Sequence, residues 1–261
     1  MVLFGHEMKQ NFKGFLVWFF VIVGMCFGCI LMYSSVESSL TEMGDVFAKM
    51  GVMSTAFGLD RLSVATMTGY FATEIAMLHA LGGGMFAAIL GSNLLSKEEF
   101  GHSIEFLAVL PVSRLRLLVQ KYLCMVADLF LFQLLGSLCY CAAFAIMDEQ
   151  LKMGPFVRLG ISQFLMMLEI GSICFCVSAF SKRNRMGVGL GIAMIFFAMD
   201  LLCRVIPAIE DLKYVTPFYY CNCTDIFLES DLPVAAFVIA GVVTVSALLL
   251  AGFRYQNKDL Q

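Results

Sequence analysis

The sequence predicts an all-α polytopic membrane protein with six transmembrane helices. Three observations predict it. Sixty per cent of the 261 residues are hydrophobic and only 14% are charged, where soluble domains carry roughly 25%, and the mean hydropathy is +0.86. A soluble globule of this size would expose large apolar patches and aggregate. The apolar residues gather into six runs, each long enough for the roughly 20 residues a spanning helix needs. No alternating ten-residue pattern suggests a barrel, so helices must satisfy the backbone in lipid. This composition excludes a soluble enzyme, a disordered chain and a nucleic-acid binder.

The first run, Gly14 to Tyr33, follows Lys9 and Lys13. It is too long for a signal core and no small-residue cleavage site follows it, so it reads as a signal anchor. The second runs from Tyr70 to Leu95. The third, Leu117 to Met147, is longer than a bilayer needs, so its first turns are expected to project into water. The fourth covers Phe156 to Phe180, the fifth Met186 to Ile206 and the sixth Leu232 to Phe253. All belong to one transmembrane domain, 1–261, with an N-terminal interfacial helix over 1–13, outer loops over 34–69 and 207–231, and an inner segment over 96–113. The spacing of Val46, Phe47, Met50, Met53 and Phe57 predicts short amphipathic helices in the first outer loop. In the second, Phe218, Tyr219 and Tyr220 suit a membrane interface.

Basic residues give the direction. Eleven fall on one side: Lys9, Lys13, Lys97, Arg114, Arg116, Lys121, Lys182, Arg183, Arg185, Arg254 and Lys258. Six fall on the other: Lys49, Arg61, Lys152, Arg158, Arg204 and Lys213. The richer side is expected in the cytoplasm, which puts both termini there and requires an even number of spans. The expected location is a cell membrane, of the bacterial plasma-membrane kind.

The stretch after the second span carries most information. Phe100, Ile104, Leu107 and Leu110 recur at helical spacing, with Glu98, Glu99 and Glu105 between them. Ser96 and Glu99 have the form of a capping box. Pro111 ends the helix, and Ser113 is placed to cap the next one. The outcome is a short amphipathic helix on the inner face, joined closely to two spans. An ordinary surface helix and a force-transmitting element fit this spacing equally.

Glu98-Glu99, Ser103, Glu105, Leu107, Leu110-Pro111, Ser113 and Arg114 resemble the pattern E-E-x-x-G-T/S-x-E-x-L-L-x-L-P-x-S/T-R of ABC-2 transporter permeases. His102 stands where that pattern has glycine, and Ala108 replaces its second leucine. The start His6-Glu7-Met8-Lys9-Gln10, the loop Tyr214-Val-Thr-Pro-Phe218 and the tail from Phe253 to Leu260 resemble the corresponding segments of the family. The resemblance implies that the inner segment is a coupling helix seated on a separate ATPase subunit. Glu98, Glu99, Phe100, Ser103, Ile104, Glu105, Phe106, Leu107, Leu110 and Pro111 would then contact the ATPase, while Ser113 and Arg114 would fix the bend into the third span. It further implies two ATPase copies, a second permease, identical or homologous, and export more than import. The cargo is open among peptides, antibiotics, lipids and ions. The chain has no Gly-Lys pair, so it lacks a Walker A loop. ATP and Mg are expected on the partner, with no cofactor bound here.

Four acids fall within or near spans: Glu74, Asp128, Glu169 and Asp200, the last four residues from Arg204 and able to pair with it. Intramembrane acids face a bundle interior or water, so two readings stand: a polar lining of the path, or interhelical glue. The glycines at 82–84 and at 187, 189 and 191 lie inside apolar spans and are read as close-packing positions. His79 is read as hydrogen-bonded to a neighbouring helix. Eight of ten cysteines sit in apolar runs; Cys221 and Cys223 lie in a loop. Two other functions are open on the residues alone: a proton-coupled carrier using Glu169 or Asp128, and an intramembrane enzyme around Ser162 or His79.

Overall fold

The computed structural model describes residues 2–97, 113–181, 186–228 and 234–257. Among these residues there is no strand. Six helices are long and apolar enough to cross a membrane: Phe4–Leu31, Met67–Leu94, Arg114–Ile146, Met153–Phe180, Met186–Val205 and Phe237–Gln256. They are called the first to sixth spans. The first turns of the first helix and the end of the sixth span lie at one face of the bundle, beside the start of the third span, and this is called the terminal face. The other is the far face.

The interfacial helix expected over 1–13 is not separate from the span expected from Gly14. The first helix starts at Val2 and continues through a π-helical stretch, Phe19–Gly24, to Leu31. Residues 2–13 contain no proline, and their one glycine lies in open space, so nothing interrupts the helical hydrogen bonds. A second π-helical stretch, Phe71–Ile75, lies near the start of the second span. Such stretches hold a surplus residue in the helix.

The second and fourth spans are the core. Of their most apolar windows, 72% and 61% is buried, against 28%, 22% and 22% in the first, fifth and sixth. The difference follows from small residues. A Cβ on Gly91 would stand 2.2 Å from the Gly171 carbonyl oxygen, so these two backbones touch only because Gly91 carries no side chain there. On the fifth span the glycines divide. A Cβ on Gly189 would stand 2.7 Å from the Ala88 carbonyl oxygen, whereas Gly187 and Gly191 face open space. Close packing therefore explains only the middle one. Aromatic rings fill the centre: Phe132 lies within 6.5 Å of Phe15, Phe19 and Phe86 and stacks on His79.

On the far face, Tyr33–Ala48 and Val52–Phe57 are helices of the first outer loop. Pro207–Val215 and Cys223–Phe227 are helices of the second. The expected interfacial cluster is corrected in part: Phe218 and Tyr220 are 2% and 4% exposed. They point inward because the loop folds onto the fourth and fifth spans, where Tyr220 meets a buried carboxylate and Phe218 packs on Phe197.

Candidate functional site

Glu98, Glu99, Phe100, Ser103, Ile104, Glu105, Phe106, Leu107, Leu110 and Pro111 lie outside the described residues. Both roots of that segment are described. Ser113 has extended backbone, and its hydroxyl accepts the Arg116 N–H at 3.3 Å. It is the N-cap expected from the sequence, and the helix it starts is 33 residues long. The Arg114 guanidinium donates to the Gln256 carbonyl oxygen at 3.2 Å, which ties the start of the third span to the end of the sixth. At the other root, the Ser96 hydroxyl donates back to the Ser92 carbonyl at 2.8 Å, and the N–H groups of Leu95 and Ser96 reach Ser178 Oγ at 3.2 and 3.0 Å.

Between the two roots sits a charge cluster that sequence reasoning did not single out. Glu7, on the first helix, is 1% exposed. Its Oε2 accepts Lys97 Nζ at 2.5 Å and its Oε1 accepts Lys121 Nζ at 2.6 Å. Lys121 is wholly buried and also donates to the Leu94 carbonyl oxygen at 3.0 Å. Lys97 immediately precedes the 98–112 segment, and Lys121 lies about two helical turns beyond Ser113. One carboxylate therefore joins the first helix to both ends of that segment. The signal in the sequence was Lys121 itself, a cation inside the long third helix, where ionisable residues call for a named partner.

The first helix makes a second polar contact two elements deep. Asn11 Nδ2 donates to Asp128 Oδ2 at 2.8 Å, and Cys124 Sγ lies 3.9 Å from the same oxygen. Asp128 is 2% exposed, held against a helix rather than facing an open channel. Glu169 is 4% exposed and accepts the Tyr220 hydroxyl at 2.7 Å. Burial first, and then the neighbouring carboxylate, push the Tyr220 phenol well above its ordinary pKa, so it remains a donor. Asp200 and Arg204 form the pair expected from their spacing, at 2.5 Å, and Arg204 also reaches Asn222 Oδ1 at 3.4 Å. Glu74 is exposed in the π-helical stretch. His79 is buried, with Nδ1 2.8 Å from the Tyr140 hydroxyl and Nε2 3.1 Å from Gln133 Oε1.

The far face holds a cleft of about 360 Å³ among the outer loops and the end of the fifth span. Three ion pairs line it: Arg61 with Asp225, Arg204 with Asp200, and Lys213 with Glu210 at 2.7 Å. The hydrogen bond from Lys213 and its charge hold the Glu210 carboxyl below its ordinary pKa. Cys221 and Cys223 are free buried thiols, and burial pushes Cys223 up to about 12. Among the described residues no group of three His, Cys, Asp or Glu side chains gathers as a metal site would require.

The model of a protein family described as ABC-2 family transporter protein matches residues 1–260. The chain belongs to the ABC-2 transporter family. Its six spans make it a multi-pass membrane permease of that family, and ABC-2 permeases in general associate with an ATPase subunit and a partner permease. No curated protein sequence matches this permease. In the ABC-2 frame, Glu7, Lys97 and Lys121 stand at the base of the segment that resembles the coupling helix.

Proposed function

We propose that this permease forms half of the pathway of an ATP-driven exporter, completed by a second permease, identical or homologous. A separate ATPase in two copies holds ATP and Mg and supplies the driving force. The family match over residues 1–260 carries this reading. The Lys/Arg asymmetry supports a cytoplasmic terminal face in the plasma membrane.

The mechanical part rests on the Glu7 cluster. Closure of the ATPase displaces the 98–110 segment, and ion pairs of 2.5 and 2.6 Å make the first helix move with its two roots. Arg114 carries the same displacement to the sixth helix. The hydrogen bonds of Asp128 and Glu169 to Asn11 and Tyr220 support an interhelical role for these acids over a proton-carrier one.

The test is purification of the tagged permease from its native membrane in mild detergent, with co-purifying proteins identified by mass spectrometry. A stoichiometric ATPase with a Walker A loop is expected, and Glu105→Lys with Leu107→Asp abolishes its recovery while membrane insertion persists. Recovery of the permease alone, under conditions that keep known complexes together, overturns the ATP-driven reading.

A further inference from the structure

A pocket of about 230 Å³ opens between the first and second spans near the terminal face, with Met186 of the fifth span at its edge. One water needs only about 10–15 Å³, so this space holds a sizeable group. Its walls change character with depth. Gln10, Asn93 and Lys97 line the end toward the terminal face, and Trp18 and Phe86 line the end toward the bilayer core. From Asn93 to Phe86 the second span rises roughly 10 Å, and from Gln10 to Trp18 the first rises roughly 12 Å. The polar-to-apolar gradients of the two helices therefore run in register along the bilayer normal.

The polar end is not self-sufficient. Asn93 Oδ1 is buried and accepts no hydrogen bond among the described residues, a costly state for a buried acceptor. Lys97 is engaged by Glu7 on one side but keeps 19% of its side chain exposed, and an ammonium group carries three donors. A ligand that completes this end brings a donor for Asn93 and an acceptor for Lys97, and continues into an apolar tail beside Trp18 and Phe86.

We propose that this pocket binds a zwitterionic glycerophospholipid of the leaflet at the terminal face. Its phosphate lies toward Lys97 and Gln10, its headgroup ammonium donates to Asn93 Oδ1, and the start of one acyl chain follows Trp18. Phosphatidylethanolamine has all three features. The proposal needs only the membrane fold and does not depend on the exporter reading.

Trp18 is the chain's single tryptophan, so it reports the pocket without labelling. Purified full-length permease, washed in detergent, is titrated with phosphatidylethanolamine brominated on its acyl chains while Trp18 emission is followed. The expected result is saturable quenching, with half-saturation about fivefold weaker for Asn93→Leu, the equivalent of one hydrogen bond. Gly14 lines the pocket and a Cβ there meets nothing within 4 Å. Gly14→Leu therefore starts a side chain into open space, with better helix propensity, and is expected to fill the pocket and abolish the saturable phase. Three results would overturn the proposal: quenching that rises without saturation, quenching unchanged in Gly14→Leu, or brominated diacylglycerol quenching as strongly as the phospholipid. Complete displacement by free phosphoethanolamine overturns the lipid in favour of a headgroup-only site.

Discussion

The two faces of the bundle both carry charge, and they arrange it oppositely. At the terminal face one carboxylate, Glu7, serves two lysines, and two of the three groups are essentially inaccessible to water. At the far face three cations meet three acids one to one around an open cleft, and Arg61 and Asp225 keep 46% and 34% of their side chains exposed. The first arrangement makes Glu7 indispensable, because its removal strands the buried Lys121. At the far face the exposed Arg61–Asp225 pair tolerates loss, because water replaces a missing partner, whereas Asp200, 1% exposed, shares the intolerance of Glu7. The terminal face is built as a joint, the far face as a vestibule.

The largest effect expected from this contrast is at Glu7. Glu7→Ala leaves Lys121 buried without its counter-ion and should cost about 3–5 kcal/mol, measured by unfolding of the purified permease in detergent. Replacing both partners, Glu7→Gln with Lys121→Met, should recover most of that loss. If Glu7→Ala melts like the native protein, the two faces do not differ as described.

Next comes the Tyr220–Glu169 contact, which lies between the faces in kind: buried like the Glu7 cluster, but with a single neutral donor. Tyr220→Phe should cost about 1–3 kcal/mol by leaving a carboxylate oxygen unsatisfied. In a Glu169→Leu background the same change should be nearly silent, and a double-mutant cycle measures the coupling. Additive losses would show that the contact is not what holds the outer loop down.

The smallest effect belongs to the far face. Arg61→Ala should cost less than about 1 kcal/mol, shrinking further in high salt. Comparing unfolding midpoints at low and high ionic strength checks this. A loss as large as that at Glu7 would erase the distinction.

Much of this molecule can be read from its sequence, and the division is physical. The spans are runs of apolar residues, and their count and approximate limits follow from local hydropathy. Ser113 as a cap and Asp200 with Arg204 as a pair are contacts over three and four residues, within reach of spacing arguments. The joint is not: Glu7 meets partners 90 and 114 residues away, and Tyr220 meets Glu169 across 51. Periodicity says which face of a helix is apolar, but not which helix stands opposite. The first helix shows the same limit from the other side. Hydropathy divides it at Gly14 into an interfacial helix and a span because the first turns are polar, yet that polarity is what its buried side uses to hold Lys121 and Asp128.

The distance along the chain between Glu7 and Lys121 also imposes a schedule on biogenesis. Synthesis proceeds at roughly 5–20 residues per second, so the acid is made about 6–23 seconds before its buried partner exists. Throughout that interval the carboxylate has to stay hydrated, and the amino-terminal turns cannot settle into their final seat. They close only once the third hydrophobic segment has been laid into the bilayer. A nascent chain that stops short of Lys97 lacks both counter-ions of this acid, and one that stops short of Lys121 lacks the buried one, a mark by which an unfinished molecule differs chemically from a finished one.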